Sequence, residues 1–298
     1  MIFKKVTKVF IQQVCVCSIV MLCCLCCATT NRFTQGKVVP SGFYGKTTFT
    51  TVKSLIILPC ELNGERKNFL FDTGAQVTGI HRDSIFGEIV TVRGGSNRTI
   101  ENGSEIVASL KIGGVDFINT FATNDNMTEL HEKIPNFGGV LGRTVMDKSN
   151  WLINYPGKTI EISNEDLSDE TYTDIPLLES SSTPYTYIDI DNKRYKAIID
   201  LGSTSVLNVP ENTELAKFLI ERYQFSENRR ERYTVGGTQN ITELVGSVPL
   251  LKIDSAEFKN IEVNINQSSQ IRLGMAFFTD YMIYIDNKNH RYRIKRIE

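Results

Sequence analysis

Past residue 27 the sequence contains a single cysteine, Cys60; the other six of its seven lie between Cys15 and Cys27. The folded part therefore holds no intramolecular disulfide. Cys60 ends the apolar run Leu55-Ile56-Ile57-Leu58-Pro59-Cys60 and reads as a small buried hydrophobe. Histidine is scarce too. His81, His131 and His290 sit in no cysteine-peptidase motif and form no cluster with metal-ligand spacing. No glycine-rich loop opens a helix as a phosphate cradle, so neither a metal nor a nucleotide cofactor is expected. An excess of charge is also missing. Against 33 Lys and Arg stand 34 Asp and Glu, a net charge of −1, which gives no field toward nucleic acid. The one basic stretch, His290 to Arg296, alternates like a last strand with a solvated face. The sequence also lacks the run of about 20 apolar residues that a membrane-spanning helix needs. Its longest apolar stretch, about Val14 to Ala28, falls short.

That stretch follows Lys4, Lys5 and Lys8, the order of a signal peptide over residues 1–28. Small residues for ordinary cleavage stand at Cys26-Cys27-Ala28. The cluster Cys23, Cys24, Cys26 and Cys27 also resembles a bacterial lipoprotein signal, in which one cysteine becomes the lipidated first residue. The small residue expected just before that cysteine is missing. The resemblance implies a chain tethered in the bacterial cell envelope; plain secretion and an uncleaved anchor are the alternatives. Residues 29–47 are polar, contain Gly36, Pro40, Gly42 and Gly45, and read as a tether. Sequons at Asn97, Asn102, Asn126, Asn240 and Asn266 matter only in a eukaryotic secretory route, which the lipoprotein-like start argues against.

The remainder is dominated by short β-branched and aromatic runs broken by Gly, Asn and Asp, so an all-β body with few short helices is expected. The best helical segment is Glu211 to Phe225, with Leu215, Phe218, Leu219 and Tyr223 on one face. The body also repeats, dividing into halves 48–165 and 173–298. One half has a hairpin running into Phe69-Leu70-Phe71-Asp72-Thr73-Gly74-Ala75; the other has one running into Ala197-Ile198-Ile199-Asp200-Leu201-Gly202-Ser203. Glycine-rich turns follow at Gly94-Gly95 and Gly236-Gly237. Each half closes on a Leu-Gly phrase, Leu141-Gly142-Arg143 and Leu273-Gly274-Met275. The acids lie 128 positions apart and the closing glycines 132, the drift that loop insertions in a duplicated unit would leave.

This order of landmarks resembles the retropepsin-like lobe of the aspartic peptidase clan. Two lobes in one chain resemble pepsin-like enzymes and the bilobal bacterial aspartyl peptidases. The resemblance implies two pseudo-symmetric β-barrel lobes with a catalytic cleft between them. Asp72 and Asp200 match the catalytic pair, two close carboxyls that share a proton and activate a water against a peptide carbonyl. Thr73 matches the hydroxyl that braces the two loops. Gly74 and Gly202 match the turn glycines, and Ser203 the hydroxyl beside the carboxylate in many pepsin-like lobes. Gly94, Gly95, Gly236 and Gly237 match the tips of substrate-covering flaps. The implied partners are a protein or peptide substrate and, through the N-terminal anchor, a membrane; one chain supplies both acids without a dimer. Two departures stand out. Leu201 replaces the second bracing hydroxyl, and Arg272 replaces an apolar residue before Leu273-Gly274. Pointed inward, Arg272 would disturb proton sharing; pointed outward, it would do nothing. These departures keep a second expectation open, a cleft that binds peptide or glycan without cleaving it, and a third, a scaffold on a surface-anchored interaction protein.

Overall fold

The computed structural model describes residues 32–94, 98–179, 183–234 and 237–297. The expected signal segment, with Cys23, Cys24, Cys26 and Cys27, and the expected flap glycines Gly95 and Gly236 lie outside the described residues. No described helix is long and apolar enough to cross a membrane. Residues 36–298 form one unit.

Its first half supplies β1 (Lys37–Val39), β2 (Tyr44–Thr48), β3 (Thr50–Val52), β4 (Leu55–Leu62), β5 (Glu65–Phe71) and β6 (Thr78–His81). Then come β7 (Val90–Arg93), β8 (Thr99–Ile112), β9 (Val115–Asp125), helix α1 (Thr128–Lys133) and β10 (Phe137–Leu141). Helix α2 (Arg143–Met146), β11 (Asn150–Asn154) and β12 (Thr159–Ser163) follow. The second half supplies β13 (Thr173–Ile175), β14 (Tyr185–Ile190), β15 (Lys193–Asp200), β16 (Leu207–Pro210) and helix α3 (Glu214–Arg222). It ends with β17 (Phe225–Thr234), β18 (Gly237–Ile253), β19 (Ala256–Asn266), β20 (Arg272–Gly274), β21 (Tyr281–Asp286) and β22 (Arg291–Arg296).

The expected all-β body is present, and it closes. Strands β4-β5-β10-β6-β9-β8 form a ring, with β8 pairing back to β4. Strands β14-β15-β20-β16-β19-β18 form a second ring in the same order, with β18 reaching β14 through Asp189 and Lys252. Closure removes the free edges that would otherwise template aggregation. The hairpins entering the rings turn at Asn63-Gly64 and Asp191-Asn192, all four at positive φ. That is the geometry whose twist suits two-residue hairpins, and Asn, Asp and Gly tolerate it best. The expected helix is α3, capped by the Thr213 hydroxyl on the Ala216 N–H and burying Leu215, Ala216 and Leu219. Cys60 is buried in the core, and β22 alternates as expected, with Tyr292 and Ile294 inward.

Two expectations about domain limits change. The segment expected as a tether is fold from Lys37 onward: β1 pairs with β9, and β2 with β12. Its short Gly- and Pro-punctuated runs hide strands that gain their hydrogen bonds from distant partners. The halves are also not separable at residues 165–173. The closing strands β11–β12 and β21–β22 leave their own rings and join one six-stranded sheet, β13-β22-β21-β11-β12-β2. Its central pairing sets Trp151 opposite Ile285 and Ile153 opposite Ile283.

Candidate active site

Each acid stands where a strand held by a parallel neighbour leaves its ring. Asp72 follows β5, paired with β10; Asp200 ends β15, paired with β20. The buried residues before them, Phe69-Leu70-Phe71 and Ala197-Ile198-Ile199, anchor both strands in the core. Loop amides then aim the carboxyls. Asp72 Oδ1 accepts from the N–H groups of Gly74 at 2.8 Å and Ala75 at 3.1 Å; Asp200 Oδ1 accepts from Gly202 N–H at 3.0 Å.

The two loops meet. A methyl added at Gly74 would lie 2.7 Å from Asp200 Cγ, and one at Gly202 would lie closer still to Asp72 Cγ. Only glycine leaves room there, so each loop's missing side chain is the space the opposite carboxyl occupies. Thr73 ties the loops. Its buried hydroxyl donates to Ile199 O at 3.0 Å and accepts from Leu201 N–H at 2.9 Å. Leu201 stands where the second bracing hydroxyl was expected; it is wholly buried in the apolar core. The brace is therefore one-sided. The Ser203 hydroxyl accepts from Ser205 N–H at 3.5 Å, and among the described residues no hydrogen bond joins it to Asp200.

Arg272 points inward. It sits opposite Ile198 on the paired strands, and its Nε lies 2.7 Å from Asp200 Oδ2, both side chains nearly buried. The N–H is not aligned for a hydrogen bond, so the contact is one of charge. Among the described residues no cation forms such a pair with Asp72. Burial pushes its carboxyl well above the usual range, and the Asp200 charge and a hydrogen bond with Asp200 add to that. The Gly74 N–H and the Arg272 charge pull weakly the other way. An acid biased toward its proton thus faces an acid paired with a cation.

The surroundings differ in the same sense. Beside Asp72, Leu70 and Ile57 pack with Met127, Leu130 and Phe137, and Val140 lies against them. Beside Asp200 the row across the sheet is polar: Arg272 pairs with Asn208, and Asn208 with Asn264. Glu243 on β18 is buried there. Burial works against its charge, but Arg230 at 2.6 Å and Asn266 at 2.9 Å outweigh that and hold its carboxyl below the usual range. Arg232 lies nearby. Burial and the charges of Arg230 and Arg272 pull its guanidinium down.

Of the expected flaps, Gly94 follows β7 at the β7–β8 turn, and Gly237 opens β18 at positive φ. The β17–β18 hairpin crosses to the first ring. Thr238 N–H donates to Glu129 of α1 at 2.8 Å, Lys133 pairs with Glu231 at 2.6 Å, and Tyr233 joins the apolar cluster beside Asp72. Sequence reasoning missed Arg232, Tyr233 and Glu243, whose partners depend on how β17, β18 and β19 register; the Arg-x-Arg alternation at Arg230 and Arg232 was the one signal available.

No protein-family model matches this chain, and no curated protein matches it.

Proposed function

We propose that the chain is an aspartic-type endopeptidase of the pepsin and retropepsin clan. The two rings serve as its pseudo-symmetric lobes, and the place where the two acid loops meet as its catalytic centre. The observation that carries this reading is the reciprocal packing of the two acid loops, each carboxyl filling the space left by the other loop's glycine. In this reading Asp72 carries the proton and donates it toward the peptide carbonyl. Asp200, in its ion pair with Arg272, is the carboxylate that deprotonates a water held between them. Two carboxyls this close share one proton because ionising both would set like charges side by side, and here the sharing is tilted to one side. The β17–β18 hairpin is the cover that excludes water, and the N-terminal segment exports the protein and holds it in the cell envelope.

The Arg272–Asp200 ion pair and the buried Leu201 favour one second reading, a cleft that binds peptides without cleaving them. Incubating residues 30–298 with a mixed peptide library at pH values from about 3 to 7 separates the two, with cleavage scored by mass spectrometry. Cleavage lost in both Asp72→Asn and Asp200→Asn supports the peptidase. A folded wild type that cleaves nothing at any pH transfers the argument to the binding protein.

A further inference from the structure

Three guanidinium groups stand on the second ring's side of the acids: Arg230 and Arg232 on β17, and Arg272 on β20. Two carboxylates face them. Glu243 is committed to Arg230 through two contacts, at 2.6 and 3.1 Å, and Asp200 meets Arg272 at 2.7 Å. Arg232 holds neutral acceptors alone, Asn266 Oδ1 at 3.3 Å and Gln267 O at 3.1 Å. Its Nε is shielded from solvent with no hydrogen-bond partner among the described residues. Asn208 Oδ1, on the strand paired with Arg272, is likewise shielded and without a hydrogen-bond partner, while Arg272 Nε faces Asp200 alone. A shielded donor without an acceptor is costly, and Arg232 is the one of these three guanidinium groups that no carboxylate meets among the described residues. The ring fold does not require this, because Val140 and Leu70 make the corresponding wall beside Asp72 apolar.

We infer that Arg232, Arg272 and Asn208 form a subsite for a carboxylate, the side chain of an Asp or Glu residue flanking the cleaved bond. The inference rests on the peptidase reading above. A carboxylate is planar and takes parallel N–H bonds from guanidinium groups, the geometry that distinguishes arginine from lysine. Its negative charge supplies the carboxylate partner that Arg232 lacks among the described residues. The Asn208 amide, turned about its last bond, presents N–H in place of oxygen.

The test uses matched peptides that differ by Glu against Gln, or Asp against Asn, at positions flanking the scissile bond. The acidic peptide is expected to have a kcat/KM about tenfold or more above its amide twin, with most of the difference in KM. Arg232→Gln brings that ratio toward one, and Arg232→Lys restores part of it. Equilibrium binding of the same peptides to the Asp72→Asn protein, read by fluorescence anisotropy, reports the subsite without catalysis. A Glu preference in that assay with no cleavage by wild type upholds the subsite and removes the peptidase. Cleavage with equal rates for both twins upholds the peptidase and overturns the subsite. Equal binding of both twins, or an undiminished ratio in Arg232→Gln, also overturns it.

Discussion

The two acid loops are built on the same strand order and end in different electrostatics. Around Asp72 the bracing residue is Thr73 and the neighbouring strand brings Val140; around Asp200 the same places hold Leu201 and Arg272. The same strand order therefore brings both carboxyls to the joint, while the side chains beside them give each acid different surroundings. A closed ring places an acid at a strand end whatever its neighbours are; a pair of equal acids needs equal neighbours as well.

That contrast breaks or sharpens under four tests. The largest effect is on cleavage. Asp72→Asn and Asp200→Asn should each lower kcat/KM roughly 10³-fold or more, since each removes a proton-transferring group. Activity surviving in Asp200→Asn alone would make the asymmetry complete and leave one working acid.

The next effect is on stability, and its sign should differ between the acids. Asp200→Asn strands the buried charge of Arg272 and should cost about 3 kcal/mol at pH 7. Asp72→Asn should stabilise. Because the folded carboxyl is shifted upward, the folded chain keeps a proton that the unfolded chain releases above about pH 4. The stability Asp72 contributes is thus full below that pH and is lost as pH rises through the folded value. Asparagine does not ionise, so the variant should exceed wild type at pH 7 and converge with it near pH 3. Urea titrations at both pH values measure this; equal losses in the two variants would erase the asymmetry.

A smaller difference concerns the brace. Thr73→Val removes two buried hydrogen bonds across the loops and should cost about 2 kcal/mol in urea titrations. Leu201→Thr, which restores the symmetric sequence pattern, should still destabilise by about 1 kcal/mol or more, because it sets a hydroxyl in a closed apolar core. A more stable Leu201→Thr would mean that the second half of the brace is available and merely unfilled. The smallest effect lies at the crossing hairpin. Lys133→Ala breaks a pair exposed on both sides and should change stability by less than about 1 kcal/mol in thermal melts.

Much of the fold is legible in the sequence. Apolar strands running into Asp72 and Asp200, the Asn63-Gly64 and Asp191-Asn192 turns, and the Thr213 cap are local signals, and the strands, turns and helix form accordingly. Strands β1 and β2 look like tether because their pairing partners, β9 and β12, lie far along the chain and leave no mark on their own composition. The departure at Arg272 is visible in the sequence, but its direction is not. That direction follows from the β15–β20 register, which turns Leu273 into the core and Arg272 toward Asp200. Arg232 and Glu243 illustrate the same limit, since what reads as surface charge becomes half-buried at Arg232 and buried at Glu243 when three long strands align.

The shared sheet has a consequence in time. Strand β11 in the middle of the chain pairs with β21, and β21 with β22, which ends at Arg296. Until those last strands leave the ribosome and reach their place, the first ring has no partner for β11 beyond β12. Contacts this distant in sequence form slowly. The opposition of the two acids thus waits on a pairing of strands far apart in the chain, and a chain cut before β21 carries Asp72 and Asp200 without the joint that holds them face to face.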